Sequence, residues 1–512
     1  MFAQSRTISP DVLVGSDEAR SFRLSAQLPD LDDVFGMDPK LAYSPVLDEH
    51  LAVWTERVAG QRFVVGQRIK ASREPVGEPL LLSGPGLSVS GPAVAYDRKL
   101  SRYLVAWLSD AGDAGHQIQT LLVDALSGSP IGRPESLDEV RFARAPAVAY
   151  GDGGYAIVWQ QTDLQGASEI FSLSLDAATA RQTGSPTQLS STGSDHSDSR
   201  FDAVTPAIAF DSRENRFLVA WGANGSDFSS RPERFEVSAR SLDLAGNPAS
   251  DVFSVGAASG TGVDARWPAL AWAGKAGEFL AVWTSQSSGP GGGSFSVEGI
   301  RIAVGQESVE DELIRVSPVG GHRALHPSIG FVSDTGKYLV SWEAITSAGR
   351  RGVSARAIPL NLGPLGDVYE LAPQDGTSSP RAGNPTVHTG VSGTVLIAFS
   401  EEGSGITLQS LSLGAEKGPA IELPEEALLV EAYPNPFRQS AAVSVAVGQT
   451  QHLEVILFDM LGRQVQVIYR GDVQANEVRE LTIDGSLLPS GNYLLRAMGE
   501  GRQWTVPVLR LR

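Results

Sequence analysis

The chain has no cysteine and only 4 methionines in 512 residues. No disulfide framework, thiolate metal site or cysteine nucleophile is therefore available, and stability must come from packing. No apolar run approaches the ~20 residues that span a bilayer, so the reading is not an integral membrane protein. The opening segment, MFAQSRTISP, also lacks the charged-then-apolar order of a signal peptide. Basic residues are outnumbered, with 41 Lys and Arg against 59 Asp and Glu and a formal net charge of -18. Neutralising phosphates requires clustered cations, so nucleic acid and anionic membrane surfaces are disfavoured as partners.

Catalytic motifs are also missing. There is no Gly-x-Ser-x-Gly elbow, no His-Glu-x-x-His helix, no Gly-x-x-x-x-Gly-Lys-Ser/Thr loop and no EF-hand. His322 and His326 are four apart, but Pro327 and Gly320-Gly321 flank them, so no helix presents them together. Ser333-Asp334-Thr335-Gly336 departs from the Ser-x-Asp-x-Gly box of sialidase propellers and reads as a hairpin turn. The expectation is that the chain is not an enzyme.

What the chain does have is 55 Gly, 30 Pro and a recurring phrase. A proline opens a short apolar strand ending in an aromatic, a polar turn follows, and a second strand of the form aromatic-Leu-Val-Ala-Trp closes the unit. The clearest copies are Pro92 to Trp107, Pro206 to Trp221 and Pro268 to Trp283. Pro146 to Trp159 and Pro327 to Trp342 keep the frame, and degenerate copies run from Pro45 to Trp54 and from Pro385 to Phe399. The seven leading prolines lie 47 to 62 residues apart, room for one four-stranded meander each. The second strand is apolar on both faces and so must be covered on both sides. Neighbouring blades supply that cover in a ring, and the expected fold is all-β, a seven-bladed β-propeller over residues 41–424. A sandwich or solenoid is the second choice. Residues 1–40 form an N-terminal segment in which Ser21 to Gln27 is a candidate closing strand, in competition with Ile421 to Leu423.

From about Glu425 the vocabulary changes to AYPNPF (Ala432 to Phe437), LEVILFDMLGRQV (Leu453 to Val465), LPSGNYLLR (Leu488 to Arg496) and a basic end, VLRLR. Residues 425–512 resemble the type A C-terminal sorting domain of the type IX (Por) secretion system of Bacteroidetes-like bacteria. Pro434, Asn435 and Pro436 match the opening motif, Asp459, Gly462 and Arg463 the central turn, Gly491 and Tyr493 the late hairpin, and Arg510 and Arg512 the basic tail. The resemblance implies an immunoglobulin-like antiparallel sandwich, recognition by the translocon, processing by a sortase-like enzyme, and a secreted or surface-attached product.

The longest loops follow second strands or join successive repeats, and they concentrate in repeats three to five. In an up-and-down blade both classes emerge on one face, which makes that face the candidate recognition surface. Asp195, Asp198 and Asp202 are candidate Ca²⁺ ligands, although their spacing matches no established loop. Phe228, Arg231, Arg266 and Trp267 could stack on and hydrogen-bond a glycan or a peptide. The expected function is a surface or secreted binding module for a glycan or protein. The alternatives are an extracellular glycan hydrolase and a structural surface protein.

Overall fold

The computed structural model describes the chain outside residues 1–21, 24–34, 59–60, 71, 85–87, 113–114, 165, 193–201, 225–234, 257–262, 275, 288–293, 304–312, 319–322, 347–348, 361–364, 373–381, 391–393, 402–404, 414–427, 434–436, 438–439, 448, 474–477, 486–487, 500–501 and 512. The chain divides into two compact units, Met1–Ala415 and Glu416–Arg512. Among the described residues the first unit holds seven four-stranded antiparallel sheets, numbered 1 to 7 here in chain order.

Their first strands are Phe35–Ser44, Val89–Asp97, Ala143–Gly151, Ala203–Asp211, Val263–Ala273, Arg323–Val332 and Ala382–Thr389. The second strands are Glu49–Val58, Arg102–Asp110, Gly154–Thr162, Arg216–Ala223, Glu278–Ser287, Lys337–Ile345 and Thr394–Glu401. Each first strand packs against the first strand of the next sheet, and that of sheet 7 packs against that of sheet 1. The outer strand of sheet 7 comes from the other end of the chain. Phe22–Arg23 pairs with Gly405–Ser412, placing Phe22 opposite Leu408 and Arg23 opposite Thr407. This is the segment expected as a closing strand, whereas its competitor, Ile421 to Leu423, lies outside the described residues.

The doubly apolar second strands explain this arrangement. Trp107 packs into a core shared by sheets 1 and 2, Trp159 into one shared by 2 and 3, and Trp221 into one shared by 3 and 4. Trp283, Trp342 and Phe399 repeat the pattern onward, and Trp54 lies with Leu396, Ala398, Ile406 and Leu408 between sheets 7 and 1. Burying such a side chain contributes about 1.5–3 kcal/mol. Arginines on third strands bind the interfaces further out: Arg240 Nη1 donates to Leu189 O at 3.0 Å and Arg356 Nη1 to Val316 O at 2.9 Å.

One sequence expectation needs correction. The first repeat opens at Pro39, not Pro45, which stands in the hairpin turn after the first strand, and sheet 1 accordingly begins at Phe35. Pro39 is the right frame because every first strand carries a register shift at an X-Pro pair: Asp38-Pro39, Gly91-Pro92, Ala145-Pro146, Thr205-Pro206, Trp267-Pro268, His326-Pro327 and Asn384-Pro385. The residue before each proline has φ between 46° and 56°. Only glycine adopts that conformation without cost.

The second unit has a three-stranded sheet, ordered Leu428–Tyr433, Ser440–Val447, Val478–Asp484, and a four-stranded sheet, ordered Gln464–Val473, Gln451–Asp459, Gly491–Gly499, Arg502–Arg510. Val443, Val445, Leu453, Val455, Leu457, Leu495 and Ala497 share one core between them.

Candidate functional site

The seven X-Pro bulges lie where the first strands begin, at the end of the sheets that also carries the long loops. A bulge frees one residue from the ladder and re-aims its side chain, and these seven residues hold equivalent places near the starts of the seven first strands. Their chemistry is lopsided. Sheets 2, 3 and 4 place Gly91, Ala145 and Thr205 there, whereas sheets 5, 6, 7 and 1 place Trp267, His326, Asn384 and Asp38.

The furnished half forms one connected set. Trp267 meets His326 edge to face, with ring centroids 4.6 Å apart. The His326 backbone N–H donates to Thr284 Oγ1 at 3.1 Å, and its Nδ1 lies 3.0 Å from Glu343 Oε2. Glu343 is only 2% exposed, and its other oxygen faces Arg351 Nη1 at 3.1 Å. Thr284 and Glu343 each directly follow the packing tryptophan of their sheet, as does Gln160, which accepts from Thr205 N at 3.4 Å. A Cβ at Gly383 would stand 3.3 Å from the Glu343 carboxyl carbon, so glycine leaves room for the carboxylate beside the next bulge. Asn384 Nδ2 then donates to Asp38 Oδ1 at 3.0 Å, joining sheets 7 and 1.

Next to Trp267, the Arg266 guanidinium sits 3.7 Å over the Phe235 ring and pairs with Asp264 at 3.7 Å. Burial holds the Arg266 pKa below its ordinary value, against the opposing pull of Asp264 and Asp202. Burial likewise raises Asp202, whose carboxylate accepts from Ser168 N at 2.9 Å. That carboxylate therefore brackets two sheets. Asp195 and Asp198, the other candidate Ca²⁺ ligands, lie outside the described residues, as do Phe228 and Arg231. Among the described residues no three His, Asp or Glu side chains gather as a metal centre. Of the residues singled out from sequence, the structure brings together Arg266, Trp267 and, at the same end, Asp202. His326, which no helix pairs with His322, belongs to this set through Trp267 and Glu343, and Glu343, Asn384 and Asp38 carry no motif in the sequence.

In the second unit the motif residues build the domain itself. Asp459 Oδ1 accepts from the backbones of Leu461 and Arg463, and Arg463 Nε donates to Asp459 Oδ2 at 2.7 Å. With Gly462 at φ 79°, this locks a hairpin whose tip leaves Met460 63% and Leu461 79% exposed. Tyr493 Oη donates to Pro489 O at 2.5 Å and Arg510 Nη1 to Ser490 Oγ at 3.2 Å, so both brace the turn ahead of Gly491. Pro434, Asn435, Pro436 and Arg512 lie outside the described residues. The opening motif instead shows its anchor in Phe437, 1% exposed and hydrogen-bonded through both backbone groups to Leu509 and Leu511.

Residues 431–508 match the family described as the secretion system C-terminal sorting domain. The match marks the chain for export. It associates the protein with the type IX machinery and with the cell-surface delivery typical of its substrates. Among the described residues no helix is long and apolar enough to cross a membrane. No curated protein matches the chain in sequence. Solved structures resemble it distantly. A protein of unknown function from Dyadobacter fermentans DSM 18053 is 12% identical, with 74% of this chain and 95% of that one covered at a TM-score of 0.45. The Hadza microbial sialidase Hz136 is 12% identical over 74% and 66% at 0.42. The NanB sialidase from Streptococcus pneumoniae is 10% identical over 77% and 71% at 0.44. Likenesses this loose carry no argument about chemistry.

Proposed function

We propose that residues 35–413, clasped by Phe22–Arg23, form a closed seven-bladed β-propeller, and that this passenger binds a glycan at the opening ringed by the pre-proline residues. Residues 425–512 serve as its immunoglobulin-like type IX sorting domain, presented to the translocon and to a sortase-like enzyme. The observation that carries the binding reading is Trp267. A bulky aromatic at φ 53° costs about 1–3 kcal/mol where glycine would cost nothing. Gly91 fills the equivalent place in sheet 2. Strain kept at a half-buried tryptophan, edge to face with a histidine that itself meets a buried carboxylate, supports a stacking platform with directional hydrogen bonds, the usual equipment for a sugar ring.

The test is a glycan array and a panel of chromogenic glycosides with the full chain and its Trp267→Gly variant. Binding without turnover, weakened at least tenfold by the substitution, is expected. Turnover abolished by Glu343→Gln would replace the binding reading with a hydrolase, and an unchanged array profile would overturn the site. For export, removing Glu425 to Arg512 is expected to leave a folded passenger in the periplasm. Its normal appearance outside the cell would refute the sorting role.

A further inference from the structure

A cavity of about 360 Å³ lies between sheets 3 and 4. This is within the range of small-ligand pockets. Its origin can be traced to two small residues. In sheet 3, Trp159 stacks on Phe171, its partner on the third strand, at 6.0 Å, and its indole N–H donates to Gln161 at 3.2 Å. In sheet 1 the indole of Trp54 is matched by Glu56 at 2.8 Å. In sheet 4 the corresponding partners of Trp221 are Ser238, directly across the ladder, and Ala223, two residues on. Neither fills the space taken by Phe171 and Gln161, and both line the cavity.

The surrounding wall is held in place by bonds it makes elsewhere. Thr192 donates to Glu169 Oε1 from its backbone N–H at 2.8 Å and from Oγ1 at 2.9 Å, and Ser190 Oγ accepts from Ile170 N at 2.8 Å and donates to Glu169 Oε2. The Arg240 side chain is fixed by Nε to Ser250 O at 2.8 Å and Nη1 to Leu189 O at 3.0 Å, bonds that do not use its Nη2. Among the described residues the lining holds one guanidinium, the Gln188 amide, several hydroxyls and an apolar floor of Leu189, Trp221 and Val252, while the Glu169 carboxylate behind it is taken up by Ser190 and Thr192. Arg240 is the one ionic group among the described lining residues. A fixed guanidinium suits a carboxylate, and hydroxyls suit a polyol.

We propose that this inter-sheet cavity is a second ligand site, taking an acidic monosaccharide unit, the carboxylate at Arg240 and the sugar hydroxyls at Ser191, Thr192 and Ser238. It is independent of the opening around Trp267, so the two can fail separately. The experiment is calorimetric titration of the full chain with D-glucuronate and with D-glucose. Saturable glucuronate binding is expected, at least tenfold tighter than glucose, unchanged in Trp267→Gly and abolished by Ser238→Phe, which rebuilds the filling seen in sheet 3. Ala223→Gln fills the same cavity from another strand and serves if the first variant does not fold. Equal affinity for the two sugars would overturn the acidic class. Absence of saturable binding, or binding indifferent to both filling substitutions, would overturn the site.

Discussion

The two ends of the innermost strands differ in one respect. At the hairpin end, four residues past each bulge proline, stand Tyr43, Tyr96, Tyr150, Phe210, Trp272 and Phe331 in sheets 1 to 6, with Thr389 in the seventh. Each aromatic there meets the first ring or imidazole of its second strand at 4.7 to 5.3 Å. At the other end the seven equivalent residues share a backbone conformation and almost no chemistry. Where copies of a unit must all solve the same packing problem, they converge on one answer. Where they diverge while the backbone stays constant, something other than packing is choosing the side chain.

That contrast is broken most severely on the uniform side. Trp107→Ala removes a side chain 1% exposed in the core between sheets 1 and 2, and a loss of about 3–5 kcal/mol is expected in denaturant unfolding. A loss under 1 kcal/mol would mean that these tryptophans do not hold the sheets together.

Two buried carboxyl and imidazole features sharpen it with opposite signs. Glu56 is fully buried, and burial raises its pKa to about 7 despite the hydrogen bond from Trp54. The folded state therefore binds its proton more tightly than the unfolded one. The associated stability is complete below about pH 4.5 and fades as pH rises through 7, by roughly 3 kcal/mol. Glu56→Gln should flatten that alkaline limb in melts taken from pH 5 to 9. The histidines run the other way. His388 occupies the place of Ala42 or Ala95 in other sheets, and it meets His50, edge on, at 5.6 Å across the junction of sheets 7 and 1, with Tyr43 beside both. Burial lowers His50 and holds His388 near 4, each remaining neutral in the fold. Stability is then complete above about pH 6.5 and lost on acidification toward 4. A His50→Phe, His388→Ala double variant should lose less of its melting temperature across that window than the parent, and equal losses would remove the junction from the account.

The smallest effect is expected on the divergent side, and its sign is what matters. Trp267→Gly should leave stability unchanged or raise it by about 1 kcal/mol by relieving a positive φ, while binding falls. A structural tryptophan would do the reverse.

The second strands could be read directly from sequence because a run such as Tyr-Leu-Val-Ala-Trp, apolar on both faces, has few places to go. The pre-proline positions could not be read in the same way. Its signal is a lack of agreement among residues preceding seven prolines, and the first of these was hidden by Pro45, a turn proline only six residues after Pro39. Once Pro39 is in frame, the column Asp, Gly, Ala, Thr, Trp, His, Asn is visible in the primary structure. Glu343 carries no local mark at all, because its importance arises from a neighbour, His326, supplied by the adjacent strand. The sorting motifs were legible as spacing, while the role of Phe437 emerged only from its pairing with the final strand.

The pairing of Phe22 with Leu408 has a consequence for how the molecule is made. A contact spanning nearly the whole passenger carries a high loop-closure entropy and forms late. Nothing emerging early from the ribosome can complete sheet 7, because the partner of Phe22–Arg23 is synthesised only at the end of the passenger. Until then the final sheet presents a bare edge, open to strand addition from any extended chain nearby. Shortening the chain from its front would leave that edge permanently uncovered, and self-association should be the first symptom.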